Sequence, residues 1–292
     1  MPLLLLLLFN GFILFYIAAI GVACFKPVVS HYDLFLCGAV AFVVVCGLAF
    51  LFDSFLGQWF LRLISGARPS IEREKRQLNP VIEWVQAEVE ATQGFLPFKK
   101  LHVLVVDEPT PNAFAIGKNN LIVSRGLYEV ATEDELAAVI AHELGHLHNG
   151  DSRRLGIALG VSTITLVITF VANAILAVAS AVSALSSKSE GGVVFLLFSL
   201  IAMLFSGFFL LFVLAGNGVL KLAMLFVGRK QEYKADQFAV KAGFGLGLLS
   251  FLEKVKDFEW TSKKSFLAKL YHTHPPVMLR IGEIEKYLNP QV

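Results

Sequence analysis

Four long stretches without a charged residue constrain the fold of this chain more than any other feature. They run from Met1 to Phe25, from Leu34 to Phe52, from Leu155 to Ser187 and from Gly191 to Leu220. Each is long enough for a helix that crosses about 30 Å of hydrocarbon at ~1.5 Å per residue. Buried helices of a water-soluble protein rarely lack charge over such lengths four times in one chain. The pattern therefore predicts a membrane protein with four transmembrane helices.

The connections between these stretches predict two helical hairpins. A polar, glycine-containing segment at residues 180–192 is typical of a turn, so the third and fourth stretches are expected to form one hairpin. The predicted organisation is a transmembrane hairpin, the first part of a soluble domain, a second transmembrane hairpin and the second part of the soluble domain, over residues 1–57, 58–154, 155–220 and 221–292.

The distribution of positive charge predicts the orientation. Residues 58–154 and 221–292 hold 11 and 12 of the 25 lysines and arginines, whereas the two opposite loops hold only Lys26 and Lys188. The positive-inside rule then places both soluble segments in the cytoplasm. The basic run Arg73–Arg76 follows the same bias, and no nucleic-acid-binding motif accompanies it. The expected partner is therefore the lipid bilayer, and no nucleic acid is expected.

The first soluble segment carries the signals of a small sheet flanked by helices. Residues 70–95 are predicted to be helical, with Pro80 starting or splitting the helix. The alternating, β-branched run of residues 101–106 predicts a strand. Residues 112–124 predict a β-hairpin whose tight turn is formed by residues 117–120.

The sequence His142-Glu143-Leu144-Gly145-His146 carries the chemistry of the chain. A capping-box pattern at residues 132–135 begins the helix that contains it, and Asn149-Gly150 ends that helix. Histidines four residues apart lie on one helical face and can bind one metal ion, while Glu143 can face a water that the metal polarises. Chance yields roughly 0.01 such matches for this composition. The motif predicts the zinc site of a metalloprotease.

A catalytic zinc site needs a third protein ligand and an open position. Residues 231–236 follow the fourth apolar stretch and offer Glu232 and Asp236, which lie four residues apart and face the same way on a helix. One can bind the metal while the other accepts the second ring N–H of a ligating histidine. The apolar hairpin between His146 and Glu232 goes out and returns, so both ends are expected at the same membrane surface.

At these motifs the chain resembles the HtpX-type membrane zinc metalloproteases, which are distant relatives of the CAAX prenyl proteases. The resemblance covers most of the chain. Besides the two apolar pairs, it is carried in order by Pro111–Ala115, Val123-Ser124, His142–His146, Asn149–Asp151, Gln231–Asp236, Thr273–Pro276 and Arg280. The predicted fold is an α+β membrane protein, with four transmembrane helices and a mostly helical, zincin-like cytoplasmic domain that contains a small β-sheet.

The resemblance implies a multi-pass endopeptidase of the bacterial plasma membrane that holds one Zn²⁺ per subunit. Its implied substrates are misfolded or damaged membrane proteins and unfolded proteins. Glu143 is implied as the catalytic carboxylate, and the implied zinc ligands are His142, His146 and Glu232.

Three further residues are expected to support this zinc site. Asp236 and Asp151 are expected beside the ligating side chains. Arg280 is expected to pair with a carboxylate such as Asp236 or with backbone carbonyls.

Substrate is expected to bind as an added strand along residues 112–116, with its carbonyl turned toward the metal. The expected contacts are Asn112, Ala113, Phe114 and Ala115. The alternative is an interior hairpin strand with Phe114 in the core.

His274 is expected to stabilise the tetrahedral oxyanion or to cap the zinc in a resting state. The alternative is a plain turn histidine before the last helix. Weaker candidates for the same role are Tyr271, His272 and Tyr233.

Three other functions compete with this interpretation. An intramembrane protease is disfavoured because acidic residues 133–135 precede the motif and Asp151, Arg153 and Arg154 follow it. A prenyl-protease-like enzyme would need a large chamber built from more than four spans. A catalytically silent scaffold with structural zinc would usually need four ligands, often cysteines, and the three cysteines all fall in the first two apolar stretches.

Overall fold

The computed structural model of the chain describes residues 2–26, 28–98, 100–186, 192–256 and 276–289. Its elements are α1 (Pro2–Phe25), α2 (His31–Asp53), α3 (Phe55–Ile64), β1 (Arg68–Pro69), α4 (Glu72–Gln93), β2 (His102–Val106), β3 (Ala113–Ile116), β4 (Asn120–Ser124), α5 (Arg125–Val130), α6 (Glu133–His148), α7 (Asp151–Ser186), α8 (Gly192–Lys241), α9 (Gly245–Val255) and α10 (Val277–Leu288). The fold is mostly helical with one small sheet. It divides into two compact units, Met1–Phe52 with Ile157–Met224 and Asp53–Gly156 with Leu225–Val292.

The first unit consists of apolar helices. Among the described residues, three stretches are long and apolar enough to cross a membrane, namely Pro2–Ala23, His31–Asp53 and Asp151–Ala179. A shorter apolar stretch, Leu204–Val219, lies in α8. Large apolar side chains such as Phe42 point outward from these helices. Helices that are apolar on their exposed faces as well as their buried faces fit a lipid environment.

The second unit contains a mixed, four-stranded sheet with the order β1-β2-β4-β3. β3 and β4 form the antiparallel hairpin that the turn residues predicted, with Phe114 opposite Ile122. β2 pairs with β4 in parallel and with β1 antiparallel. Within the described part of the chain β3 is therefore an edge strand.

Helix α4 contradicts the expectation that Pro80 starts or splits a helix, because the helix continues from Glu72 to Gln93 with Pro80 inside it. Pro80 is exposed, so the carbonyl that loses its helical partner can bond to water. On the opposite face Leu78, Val81 and Val85 are buried in the core of the unit. Burial of this apolar stripe outweighs a local cost of about 3 kcal/mol.

Helix α6 is the centre of the second unit, and every residue from Glu135 to Leu147 in it is buried. The predicted capping box is present. The backbone amide of Glu135 donates to Thr132 Oγ1 over 3.3 Å, and the amide of Thr132 donates to Glu135 Oε2 over 2.8 Å. These bonds satisfy backbone donors at the start of the helix.

Candidate active site

Close packing of α6 against α8 brings the candidate site together. A Cβ atom on Gly145 would lie 3.1 Å from the Cα of Ala235 and 3.2 Å from the Cβ of Phe238. Glycine at this position therefore lets the two helices approach more closely than a larger residue would allow. Glu232 lies about one turn before Ala235 on α8, and the close approach carries its carboxylate to the histidines of α6.

The ligating atoms of the two histidines and Glu232 lie within 4.8 Å of one another. Glu232 Oε2 is 3.4 Å from His142 Nε2, and Glu232 Oε1 is 3.3 Å from His146 Nε2. Neighbouring ligand atoms of a tetrahedral zinc site with bonds of ~2.0–2.1 Å are separated by about 3.3 Å. The spacing of the three side chains therefore suits a cation of that size.

His142 is oriented by a buried ion pair. Its Nδ1 lies 2.8 Å from Asp236 Oδ1, so the proton on Nδ1 is directed to the carboxylate and the lone pair of Nε2 is turned toward Glu232. Arg280 donates to both oxygens of Asp236 over 2.6 and 3.0 Å. The pairing of Arg280 with Asp236 expected from the sequence is confirmed, and both side chains are buried.

His146 has a corresponding partner in Asp151. Its Nδ1 lies 3.5 Å from Asp151 Oδ2. The other oxygen of Asp151 accepts hydrogen bonds from Gln231 Nε2 over 2.7 Å and from Arg154 Nη2 over 2.6 Å. Sequence reasoning did not assign a role to Gln231 or Arg154. The separation of three residues between Asp151 and Arg154 on one helix was the signal that could have identified that pair.

The electrostatics of the site favour a bound cation. Burial lowers the pKa of His146, but Glu232, Asp151 and Glu143 together raise it further, so the pKa lies well above its ordinary value. Burial and the charge of Arg280 lower the pKa of His142. Asp236 and Glu232 raise it by more, so the pKa lies above its ordinary value. Burial raises the pKa of Asp236, yet Arg280 and His142 bring it down to about 2. Asp236 thus stays ionised, and its negative charge favours a cation on the neighbouring side chains.

The edge strand β3 is linked directly to Glu143. The backbone amide of Ala115 donates to Glu143 Oε2 over 2.8 Å. Both backbone groups of Asn112 point toward β4: its carbonyl accepts a hydrogen bond from the amide of Ser124, and its amide donates to Ser124 Oγ. The backbone N–H and C=O groups of successive residues in a strand point to opposite sides. Those of Ala113 and Ala115 therefore point away from β4, to the open edge. The carboxylate of Glu143 therefore lies beside the open edge of β3.

The expectation that Phe114 contacts substrate is not supported. Its side chain is buried with Leu104 and Ile122 on the far face of the sheet, and its backbone groups point toward β4. Successive side chains of a strand point to opposite faces of the sheet. The side chains of Ala113 and Ala115 face the site, so that of Phe114 faces away from it. The structure thus combines the two alternatives considered for this strand: it is an edge strand, and Phe114 is a core residue.

A cleft opens beside His142 and Glu143. One wall is formed by β3 and the residues before it, and the other is formed mainly by apolar side chains of α9 and α6. The lining residues are Pro111, Asn112, Ala113, Val139, His142, Glu143, Leu248, Phe251, Leu252, Val255 and Arg280. His274 lies outside the described residues, as do Tyr271 and His272.

Comparison with known proteins decides the family. The profile described as peptidase family M48 matches residues 75–288, which include every element of the site described above. The chain belongs to peptidase family M48. It is therefore a metalloprotease of the HtpX type, as the sequence motifs indicated.

The similar proteins extend this assignment over the apolar helices. Protease HtpX of Idiomarina loihiensis is 27% identical over 271 residues, which cover 85% of this chain and 88% of that protein. Protease HtpX of Pseudomonas savastanoi pv. phaseolicola is 27% identical over an alignment of 300 residues, which covers 95% and 90%. A protease HtpX homolog of Tropheryma whipplei strain Twist is 30% identical over 249 residues, or 78% of each chain.

The M48 family is zinc-dependent in general, and the donor set of this chain fits zinc. Two imidazoles and one carboxylate are ligands that zinc accepts in catalytic sites. His142 Nε2 is buried and has no hydrogen-bond partner among the residues that the structure describes. A buried nitrogen without a partner costs free energy unless something binds it, so a metal ion explains its position.

Proposed function

We propose that this M48 metalloprotease is a zinc endopeptidase of the bacterial plasma membrane that hydrolyses unfolded proteins and misfolded or damaged membrane proteins. The observation that carries the proposal is the position of Glu143. It follows the candidate metal ligand His142 in α6, and its Oε2 accepts a hydrogen bond from Ala115 in the edge strand β3, along which the backbone of an added substrate strand would run. A general base, a metal site and a strand edge together meet the needs of peptide hydrolysis.

The proposed topology has four spans with the catalytic domain in the cytoplasm. Three spans coincide with the long apolar helices, and the fourth is assigned to the apolar part of α8, which includes Leu204–Val219. The excess of lysine and arginine in the two soluble segments supports a cytoplasmic catalytic domain. Asp151 is the first residue of α7 and Glu232 belongs to α8, so each of these residues lies in the same helix as an apolar stretch.

We assign zinc binding to His142, His146 and Glu232. When bound there, zinc polarises the scissile carbonyl and lowers the pKa of water. Glu143 takes the proton of the attacking water and delivers it to the leaving nitrogen. Because Ala115 holds Oε2 of this carboxylate, we assign the proton transfer to Oε1.

The protein backbone at the open edge is proposed to orient the substrate. An extended peptide pairs with the outward N–H and C=O groups of Ala113, and its scissile carbonyl is thereby held beside Glu143. Asn112 lines the same cleft, and we assign its side chain a contact with the substrate. This pairing needs an unfolded segment, because a folded helix or sheet cannot offer its backbone to the edge.

The apolar wall of the cleft is proposed to select the side chain next to the scissile bond. Leu248, Phe251, Leu252 and Val255 come from α9, and Val139 comes from α6. Such a surface binds leucine, phenylalanine or a similar side chain more tightly than a charged one. Transmembrane segments of damaged proteins are rich in these residues.

The decisive experiment combines metal analysis with a protease assay. We expect the protein purified in detergent to contain about one zinc per chain. We also expect it to cleave casein in a chelator-sensitive manner. Glu143→Gln should keep the zinc and lose the cleavage. A protein that holds zinc but never cleaves would instead be the silent scaffold.

In cells, membrane proteins that accumulate with Glu143→Gln relative to the wild type would identify substrates.

A further inference from the structure

Helix α3 presents an apolar, aromatic face outward. The helix is only ten residues long. Five of its bulky side chains fall within one arc of the helical wheel and are between 39% and 75% exposed, namely Phe55, Leu56, Trp59, Phe60 and Leu63. A contiguous exposed apolar patch of this kind marks a surface that binds another apolar surface.

The position of α3 in the chain points to lipid as the partner. The candidate membrane span of α2 ends at Asp53, and α3 begins at Phe55. Tryptophan and phenylalanine on one face, with a basic residue beside them, are typical of helices that lie in the membrane interface. Arg62 supplies the basic group, and its guanidinium lies 6.0 Å from the ring centroid of Phe55. In the sequence, this exposed apolar face therefore follows directly after a candidate membrane span.

The opposite face of α3 holds the turn between β3 and β4. Gln58 is buried, and its Oε1 accepts hydrogen bonds from the amide of Lys118 over 3.0 Å and from Asn120 Nδ2 over 3.2 Å. Asn120 Nδ2 also donates to the carbonyl of Ile116 over 3.1 Å. Gly117 has a φ of +68°, and a Cβ there would lie 1.8 Å from Gln58 Oε1. Glycine adopts this positive φ without strain, and a larger residue would also displace the end of the Gln58 side chain from the turn.

The same turn is tied to the end of α2. Lys118 Nζ lies 2.8 Å from Asp53 Oδ2, and Arg153 donates to both oxygens of Asp53 over 2.5 and 2.7 Å. The turn directly follows β3, where the amide of Ala115 donates to Glu143. A chain of contacts thus runs from the exposed face of α3 to the edge strand.

From these contacts we infer that α3 docks in the plane of the bilayer surface and, through Gln58, holds the β3–β4 turn and the edge strand at that surface. The docking stands apart from the proposed proteolytic mechanism. Only the use of the edge strand for substrate rests on the proposed function. A protease so arranged would meet segments of membrane proteins at the point where they leave the bilayer.

Fluorescence quenching tests the docking in the full chain reconstituted into phospholipid nanodiscs. The chain has three tryptophans, so Trp84→Phe with Trp260→Phe leaves Trp59 alone. Lipids brominated on their acyl chains should reduce the fluorescence of Trp59 by about half or more. The matched control keeps only Trp84, which packs 5.1 Å from the ring of Phe244, and should be quenched much less.

The difference in bromolipid quenching between the wild type and Trp59→Phe also reports the quenching of Trp59, without altering the other tryptophans. Absence of bromolipid quenching at Trp59 overturns the docking. Cross-linking of a Leu63→Cys variant to a second copy, in place of quenching, also overturns it and identifies another chain as the partner.

Hydrogen exchange tests the connection to the turn. Leu56→Ser with Leu63→Ser should speed exchange of the Lys118 amide in nanodiscs by about tenfold, because local opening of the turn becomes easier. Gln58→Ala should do the same, and exchange within α6 should stay unchanged. Phe95→Ser is the control, since Phe95 is an exposed aromatic residue of the same unit outside α3. Unchanged exchange at Lys118 in the α3 variants would show that the helix does not hold the turn.

Discussion

The backbone amide of Ala115 donates a hydrogen bond of 2.8 Å to Oε2 of Glu143, so the strand edge and the proposed general base form one unit. Glu143→Gln preserves an oxygen that can accept this bond, but it removes the basic carboxylate. We expect zinc content and melting temperature to be unchanged while turnover falls by about 10²- to 10⁴-fold. Zinc analysis, thermal unfolding and a casein assay measure the three quantities.

Glu143→Ala is the informative comparison for that variant. It removes the acceptor as well as the base, so the Ala115 amide loses its partner at a cost of about 1 kcal/mol. Full activity in either variant would remove Glu143 from the mechanism.

Proline substitutions separate the roles of the edge-strand amides. The N–H of Ala113 faces the open edge, so Ala113→Pro should raise KM for peptides by about tenfold or more with little change in stability. Ala115→Pro removes the donor to Glu143 and should lower kcat instead. Steady-state kinetics and melting curves distinguish these effects. Phe114→Pro is the control that should unfold the sheet, because the N–H of Phe114 points toward β4.

The buried pair of Asp236 and Arg280 should control both stability and metal affinity. Arg280→Met leaves the Asp236 charge buried without its partner and should destabilise the protein by about 3–5 kcal/mol. Asp236→Asn should weaken zinc binding by about 10- to 100-fold, because the ring of His142 loses its orienting acceptor. Chemical unfolding and zinc titration measure these changes.

Arg154→Gln provides the contrast. Arg154 is half exposed, and its pair with Asp151 spans only three residues, so we expect a change of at most about 1 kcal/mol. Replacing both members of the buried pair, Asp236→Leu with Arg280→Met, should restore much of the stability but not the zinc affinity. Recovery of both would contradict the orienting role of Asp236.

Acid sensitivity should depend on Glu74. Hydrogen bonds of 2.7 and 2.9 Å from Arg68 lower the pKa of Glu74 below its ordinary value, against the effect of burial. The folded pKa is thus below the unfolded value of about 4.3, so this contribution is present above that pH and is lost as the pH falls through the folded pKa. The melting temperature should therefore fall as the pH drops below about 5.

Glu74→Gln should remove part of this acid dependence and cost about 1–3 kcal/mol near neutral pH. Glu72→Gln is the matched control, because Glu72 is exposed and pairs with Lys75 three residues away on the same helix. Its stability should change by less than about 0.5 kcal/mol. An equal response in both variants would argue against the Arg68 pair as the cause.

Local patterns predicted the parts of this protein that short segments determine. The capping box of α6, the hairpin of β3 and β4 and the face shared by His142 and His146 all depend on residues a few positions apart. The continuity of α4 through Pro80 was not predicted, because it depends on a buried stripe packed against distant elements. Local rules give the helix-breaking tendency of proline but not the tertiary packing that overrides it.

Long-range geometry limited the prediction of the site. The sequence indicated Glu232 and Asp236 as a pair, and the family resemblance was needed to separate their roles. In the structure Asp236 lies against Nδ1 of His142 and Glu232 against Nε2, a distinction that depends on how α8 crosses α6 at Gly145. The parallel pairing of β2 with β4 was likewise not predicted from the sequence, since nothing in either strand specifies its partner strand.

The apolar wall of the cleft should determine substrate preference, and Val139 tests this at one position. Val139→Phe narrows the space between α6 and α9, so kcat/KM should fall by about 10- to 200-fold for peptides with leucine or phenylalanine beside the scissile bond. Peptides with alanine there should be affected much less. Val139→Ile is the control with a smaller change in volume, and melting curves should show a loss of about 1–3 kcal/mol or less for either variant. A uniform loss across all peptides would mean that the substitution disturbs the catalytic residues of α6, since a specificity pocket must discriminate between side chains.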